Sequence, residues 1–439
     1  MYRSTELSCQ VALIATAFLS LFSVAALAQQ SDFRVDGERL NATMAHVKTI
    51  GLNGDGGSDR VAYSSHNKDA LAYLSELMQA AGLSTKIDVA GNLVGRREGK
   101  IAGLSPIITG SHIDTVPNGG HYDGIVGTMS GIEVARTMND NGVELDHPFD
   151  VIVWSNEEGG KIGSRSYRGA IGADEMALQS LGDKTLGDGI AYLGGDPNRL
   201  SESQRQAGDV AALIELHIEQ GAILDREGVT IGVVEGIVGI KRWNITVEGF
   251  ANHAGTTPMD QRQDAMLAAA RLTIAVNDTI TGTPGKQVGT VGRMQLFPGA
   301  PNVIPGKVVM SLEIRDLRME KVSLLFEQIE AAAQQIAMKS DTSISFKQYY
   351  ESPAAITDER FKTTVENSAN TLGLTSMHMP SGAGHDTQSL QGLAPLGMIF
   401  VPSVKGVSHA PSEFTSAQDI TNGANVLLLT IIDLDKQLR

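Results

Sequence analysis

Between residues 67 and 82 the apolar positions Leu71, Leu74, Leu77, Met78 and Ala81 recur at three- and four-residue intervals. That spacing predicts a helix with one buried stripe, and Gly82 fits its C-terminal cap. The pattern then changes to short apolar runs rich in β-branched residues, at 105–109, 150–154, 212–216 and 396–401. Such runs, bounded by turn residues and separated by helices, predict strands of an α/β sheet covered on both faces. Each run leads toward residues that can do chemistry: His112, the pair Glu157 and Glu158, His217, and His409. In sheets of this class ligands gather at the carboxyl ends of the strands, where all four fall.

From about 239 to 350 the texture differs. Trp243-Asn-Ile-Thr-Val-Glu-Gly alternates as a strand does. A helix over 262–277 follows, then paired strands around 288–296 and 308–315. A second helix places Val322, Leu325, Phe326, Ile329, Ala333 and Ile336 on one face, and a strand over 342–348 closes the series. The order is βαββαβ, an α+β insertion between two halves of the α/β domain. The chain therefore reads as a discontinuous domain, 29–238 with 351–439, and an inserted domain, 239–350. The stretch 173–208, rich in Gly, Asp, Ser and Gln, reads as a surface excursion with little core to bury.

With 439 residues, 42% of them apolar, the chain is long enough for two domains with proper cores. Its formal charge of −15 argues against a nucleic-acid partner and leaves a small substrate as the expectation. Residues 1–28 carry Arg3, an apolar run from Val11 to Leu27, and Ala26-Leu27-Ala28 before Gln29. That is the arrangement of a cleaved secretory signal, which implies an exported, periplasmic product without stable membrane association. The other reading, an uncleaved anchor, has an apolar run short for a span. Cys9, the only cysteine, lies inside this segment, so a cysteine nucleophile is excluded from the mature chain.

His112 and Asp114 in Gly-Ser-His-Ile-Asp-Thr-Val, Asp123 in His-Tyr-Asp-Gly, Glu157-Glu158, His217 in Leu-His-Ile-Glu-Gln and His409 in Val-Ser-His-Ala-Pro-Ser-Glu are all of metal-ligating type. Imidazoles with carboxylates and no thiolates suit zinc or a similar borderline divalent ion. Taken singly, a histidine in a Gly-Ser-His turn is more often structural. Asp114 is either a plain turn residue or the acceptor of the second ring N–H of His112. Two adjacent glutamates resist joint ionisation unless a cation lies near; they form either a solvated loop or one ligand beside one general base.

Eight motifs in order resemble the zinc-dependent amidase, hydantoinase and carbamoylase family, which is related to aminoacylases and zinc carboxypeptidases. Besides those above they include Ser-Asn-Glu-Glu-Gly, Ala-Asn-His-Ala-Gly-Thr-Thr-Pro-Met, Pro-Asn-Val-Ile-Pro-Gly and Ser-Gly-Ala-Gly-His-Asp. The resemblance implies a metallopeptidase-like catalytic domain, with a mixed sheet covered by helices, and an inserted lid and dimerisation domain. It implies two divalent ions per subunit, zinc or else manganese, cobalt or nickel. His112, Asp123 and His217 look like one ion's ligands, and Asp123, Glu158 and His409 like the other's, so that Asp123 bridges. Glu157 looks like the base acting on a water shared by the ions, and Asp114 like the orienter of His112. By the same resemblance His253 reaches the active site of a partner subunit in a homodimer, and Asn302 and Arg315 hold the substrate carboxylate. Gln220, Arg242, Gly384 and His385 are further substrate contacts, and closure of the lid assembles the site.

The implied activity is hydrolysis of the carbamoyl group of an N-carbamoyl-L-amino acid or related ureido acid. Allantoate amidohydrolysis is the runner-up; an aminoacylase or dipeptidase is third, and His217 tells against it. A non-catalytic binding protein is disfavoured by the complete ligand set. Gly163-Ser164-Arg165 follows the paired glutamates closely, where the family often has a longer stretch, which leaves the side-chain pocket open to reshaping.

Overall fold

The computed structural model describes residues 33–438; the signal segment and Cys9 lie outside them. The chain divides into two compact units. Unit 1 contains the described residues up to Val234 together with 358–378 and 389–438; unit 2 is 235–357 with 379–388. The divisions fall at 235 and 357, where the sequence pattern sets them at 239 and 350. The additional piece 379–388, expected in the catalytic domain, groups with unit 2.

Unit 1 is built on β1 (Ser84–Ile87), β2 (Leu93–Arg97), β3 (Ile107–His112), β4 (Phe149–Trp154), β5 (Ala212–Ile218), β6 (Ile231–Ile237, which runs on into unit 2) and the strand Leu396–Val401. Their spatial order is β1-β2-β4-β3-β5, then Leu396–Val401, then β6. The four central strands run parallel, while β1, β2 and β6 pair antiparallel, so the sheet is mixed. Every residue of β3, β4, β5 and Leu396–Val401 is buried, as expected of strands covered on both faces. Helix Ile125–Asp140 packs along β3, β4 and β5, and Ala417–Gln437 packs on that helix and on Leu396–Val401. Ser65–Ala80, the helix predicted over 67–82, covers β1 and β2, capped by Ser64 at its start.

The segment 173–208 departs from the expected excursion. It contains helix Leu186–Leu193, which places Leu186, Ile190 and Leu193 in the main core. Their i, i+4, i+7 spacing is helical; the polar residues around them concealed it.

Unit 2 has β7 (Gly239–Glu248), β8 (Asn252–His253), β9 (Val288–Thr290), β10 (Met294–Phe297), β11 (Val303–Ile304), β12 (Lys307–Asp316) and β13 (Ser343–Ser352). Its antiparallel sheet runs β10-β12-β7-β13, with β9 also on β12 and a separate β8–β11 ribbon. Burial alternates along β7 and β12, and the buried side packs against helices Ala265–Gly282 and Met319–Ser340. Trp243 stacks on Phe326 at 4.3 Å in that core. No helix among the described residues is long and apolar enough to cross a membrane.

Candidate metal centre

The carboxyl ends of the unit 1 strands deliver one cluster. His112 is the last residue of β3 and His217 the sixth of β5. Glu157 and Glu158 follow β4, Asp123 stands just before helix Ile125–Asp140, and His409 lies in the loop after Leu396–Val401. Asp123 is the hub. Its Oδ1 is 3.1 Å from His217 Nε2 and 3.6 Å from His112 Nε2, and its Oδ2 is 3.0 Å from His409 Nε2. Glu158 Oε2 is 3.6 Å from His409 Nε2, and Glu157 Oε2 is 3.9 Å from His112 Nε2.

The ring orientations turn the Nε2 atoms toward Asp123. His112 Nδ1 lies 3.0 Å from the Asp114 carbonyl and His217 Nδ1 2.8 Å from the Ile218 carbonyl, so the Nδ1–H groups donate there. The Gly124 N–H donates to His217 Nε2 at 3.1 Å, which marks that nitrogen as the acceptor. His112, Asp123 and His217 form one group, and Asp123, Glu158 and His409 a second, in each of which the donor atoms lie within 4.8 Å of one another. Mixed nitrogen and oxygen donors at that spacing fit a pair of divalent ions sharing Asp123.

Asp114 sits otherwise than expected. Its backbone carbonyl, not its carboxylate, meets the His112 ring; the carboxylate Oδ1 is 3.8 Å away. The carboxylate instead accepts the backbone N–H groups of Glu157 at 3.3 Å and Glu158 at 3.2 Å, which fixes the turn carrying both glutamates. A residue the sequence did not single out, Glu413, acts similarly on the hub. Its Oε1 accepts the N–H of Tyr122 at 2.8 Å and of Asp123 at 3.1 Å, and its Oε2 accepts the Ser408 hydroxyl at 2.8 Å. Ser408 also lies 3.1 Å from Asp123 Oδ2. Gln220 donates to Asp123 Oδ2 at 2.6 Å.

Backbone strain gathers here. Asn156, Lys161, Gln220 and His409 all have φ between 53° and 58°, a region L side chains rarely occupy. Gly124 has φ 69°, and a Cβ there would lie 2.4 Å from the His112 ring, so glycine must follow Asp123.

Electrostatics without an ion are unbalanced. Burial and the nearby Asp123 push the Glu158 carboxyl up to about 8, and burial raises Glu157 as well. Burial also opposes the charged form of Asp123, yet His112, His217 and His409 hold it well below the usual carboxylate range. His409, hydrogen-bonded to Asp123, is raised to about 9.

A family model described as peptidase family M20/M25/M40 matches residues 108–433, a span that contains every member of this cluster. The chain belongs to that family. Among M20-family relatives, an N-carbamoyl-L-amino acid amidohydrolase from Geobacillus stearothermophilus is 37% identical over 405 residues, covering 91% of this chain and 99% of its own length. A ureidoglycolate hydrolase from Oryza sativa subsp. japonica is 34% identical, covering 93% of this chain and 86% of its own. The crystal structure of a hydantoinase/carbamoylase family amidase from Burkholderia multivorans superposes with a TM-score of 0.84 at 33% identity, covering 92% of this chain and 98% of that one.

The remaining residues of interest lie in unit 2 of this M20-family chain. Arg242 on β7 and Glu313 on β12 are direct cross-strand partners, and Arg315 is two residues further along the same face. Glu313 accepts from Arg242 Nε at 2.5 Å and from Arg315 Nε at 2.6 Å, and Arg315 also donates to the Gly382 carbonyl at 2.8 Å. His253 and Asn302 are exposed on the β8–β11 ribbon, where the Ala254 N–H donates to the Asn302 carbonyl at 3.0 Å. His253 Nδ1 accepts the N–H groups of Gly255 and Thr256. Gly384 is exposed; His385 is buried with Nε2 2.8 Å from the Ser381 hydroxyl.

Proposed function

We propose that this protein, a hydrolase acting on carbon–nitrogen bonds, removes the carbamoyl group of N-carbamoyl-L-amino acids to give the amino acid, ammonia and carbon dioxide. The observation that carries the reading is the intact Asp123-centred cluster in a chain that aligns with 99% of the length of an N-carbamoyl-L-amino acid amidohydrolase.

His112, Asp123 and His217 would hold one divalent ion and Asp123, Glu158 and His409 the other, with zinc, manganese, cobalt or nickel all compatible with the donors. Such ions polarise a carbonyl and make water acidic near neutral pH. Glu157 Oε2, raised by burial, takes the proton of the attacking water and passes it to the departing nitrogen. Asp114 keeps that carboxylate in register through the turn amides it accepts. Arg315, with Asn302, binds the substrate carboxylate, for which a guanidinium offers bidentate geometry, and Arg242 beside it is a further substrate contact. Gln220, Gly384 and His385 contribute further substrate contacts, and His253 serves the site of a partner subunit in a homodimer. Residues 1–28 direct export and are removed from the mature protein, which fits a periplasmic scavenging enzyme.

The similarity to a ureidoglycolate hydrolase favours a second reading, hydrolysis of a ureido acid such as allantoate. Release of ammonia and of free amino acid from N-carbamoyl-L-amino acids, ureidoglycolate, allantoate and N-acyl amino acids, offered side by side to metal-loaded mature protein, ranks the readings, since N-acyl cleavage yields an amino acid and a carboxylic acid but no ammonia. Carbamoyl turnover that vanishes in Glu157→Gln is the expected result; cleavage of N-acyl amino acids alone would overturn it.

A further inference from the structure

The three central strands of unit 1 end at the metal cluster, and their opposite ends frame a second cavity. Ile108 near the start of β3, Asp150 near the start of β4 and Val210 just before β5 line a space of about 360 Å³. A neighbouring space of about 200 Å³ shares Arg96, Asp150, Tyr167 and Arg205 with it. His112, Glu157 and His217 stand four, seven and seven residues further along the same stretches of chain, so this cavity is separate from the cluster.

Its charged groups are not equivalent. Arg96 makes a two-point pair with Asp150, both contacts at 2.7 Å, so those charges cancel. Asp88 is occupied by the N–H groups of Ala90 and Asn92 and by the Asn92 amide. Asp209 accepts the Gln206 N–H at 2.7 Å.

Arg205 is different. Its guanidinium lies 4.8 Å from the centre of the Tyr167 ring, its backbone N–H donates to the Tyr167 carbonyl at 2.7 Å, and no carboxylate pairs with the guanidinium among the described residues. Tyr167 is buried and held edge-on by Trp154 at 5.0 Å. A rigid aromatic platform therefore pre-positions a cation that no carboxylate pairs directly, with Asp88 the acidic group in electrostatic reach of it, in a chain whose formal charge is −15. Lys86 adds a second positive group, while Leu104, Pro106 and Val210 supply an apolar wall.

We propose that this cavity binds a small organic or inorganic oxyanion, a carboxylate or a phosphate, anchored by Arg205. The volume is that of a small-ligand site, and a planar guanidinium held on an aromatic ring and paired directly with no carboxylate matches the two oxygens of such a group. The proposal is independent of the reaction assigned to the metal cluster.

Calorimetric titration of succinate and of inorganic phosphate into metal-loaded mature protein tests it, with Arg205→Gln, with Leu104→Trp, which fills the cavity from its rim, and with His409→Ala as the control for binding at the metals. The expected result is one site per chain for at least one probe, weakened about tenfold or more in Arg205→Gln and unchanged in His409→Ala. The probe that binds identifies the class of anion. Undiminished affinity in Arg205→Gln, loss of binding in His409→Ala, or no binding of either probe overturns the proposal. Thermal melting in anion-free buffer checks the fold of each variant, and if Arg205→Gln does not fold, Leu104→Trp decides by the same criterion.

Discussion

The polar cluster of unit 1 and the arginine pair of unit 2 balance charge in opposite ways. In the first, Asp114, Asp123, Glu157, Glu158 and Glu413 crowd around three imidazoles, and burial raises four of those five carboxyls. In the second, one carboxylate, Glu313, lies between two guanidiniums, and the arrangement ends with a positive surplus. The first leaves carboxylates in excess, as a site for cations would, whereas the second is internally bonded and keeps a positive surplus. Backbone strain follows the same division. Among the described residues unit 1 has seven non-glycine residues in the left-handed region, four of them at or beside the cluster, while unit 2 has only Asp341 at a helix cap. Strain of this kind persists where the surrounding structure over-determines it, and here that is where side chains must converge.

The largest effect should come from removing the hub. Asp123→Asn takes away the one carboxylate that meets all three imidazoles. Metal content measured after gel filtration should fall together with the rate, the latter by more than about a thousandfold. Retention of both ions would deny Asp123 the shared position. Glu157→Gln should differ by losing the rate while keeping the metal.

The charge imbalance predicts a pH dependence that unit 2 should not show. Without metal, Glu158 titrates near 8 and His409 near 9, both above their ordinary values, so the folded chain binds protons that the unfolded chain gives up. Their favourable contributions are complete at low pH and fade as pH rises, for Glu158 across about 4.5 to 8 and for His409 across about 6.5 to 9. Asp123, held below its usual 3.8, acts in the opposite direction only in acid, outside this window. Chelated protein should thus melt lower at pH 8.5 than at pH 6.5. Metal binding near pH 7 should release at least two protons, since the His112 and His217 imidazoles are raised as well, and apparent affinity should rise about tenfold per pH unit for each. Calorimetry in buffers of different ionisation enthalpy counts them; zero protons would sink the account.

Unit 2 is tested by Arg315→Ala. Loss of a charge-assisted contact to a substrate carboxylate should raise KM about ten- to a hundredfold with kcat little changed. A fall in kcat alone would show that Arg315 does not bind the ground state.

Which features were readable in the chain depends on whether the interactions are local. The strands leading to His112, Glu157 and His217 announce themselves as apolar β-branched runs because each is buried on both faces. Helix Ile125–Asp140 is buried almost all round, so it has no polar face and generates no period to detect. The Asp114 carboxylate spans 43 residues to backbone amides, and a backbone donor leaves no mark in the sequence. Nor does anything near 379–388 disclose that it packs with unit 2, where Ser381 accepts from Val238.

Glu413 is the sharpest case of that kind, because it sits within a recognised motif yet works on amides 290 and 291 residues away. Two roles are possible for it: holding the Tyr122–Asp123 loop in place, or contributing charge to the ion site. Glu413→Gln separates them, since an amide oxygen still accepts the two N–H groups that set the loop while the charge is gone. If positioning dominates, kcat should fall only about threefold, and Glu413→Ala, which frees both N–H groups and leaves them to find other partners at a cost of roughly 1–3 kcal/mol each, should fall much further. Equal losses in the two variants, accompanied by reduced metal content in both, would instead mean that the charge is what matters. The steric fit of the site favours positioning: a Cβ at Gly120 would lie 2.1 Å from Glu413 Oε1, so the backbone of this loop closes directly over the carboxylate that accepts its amides.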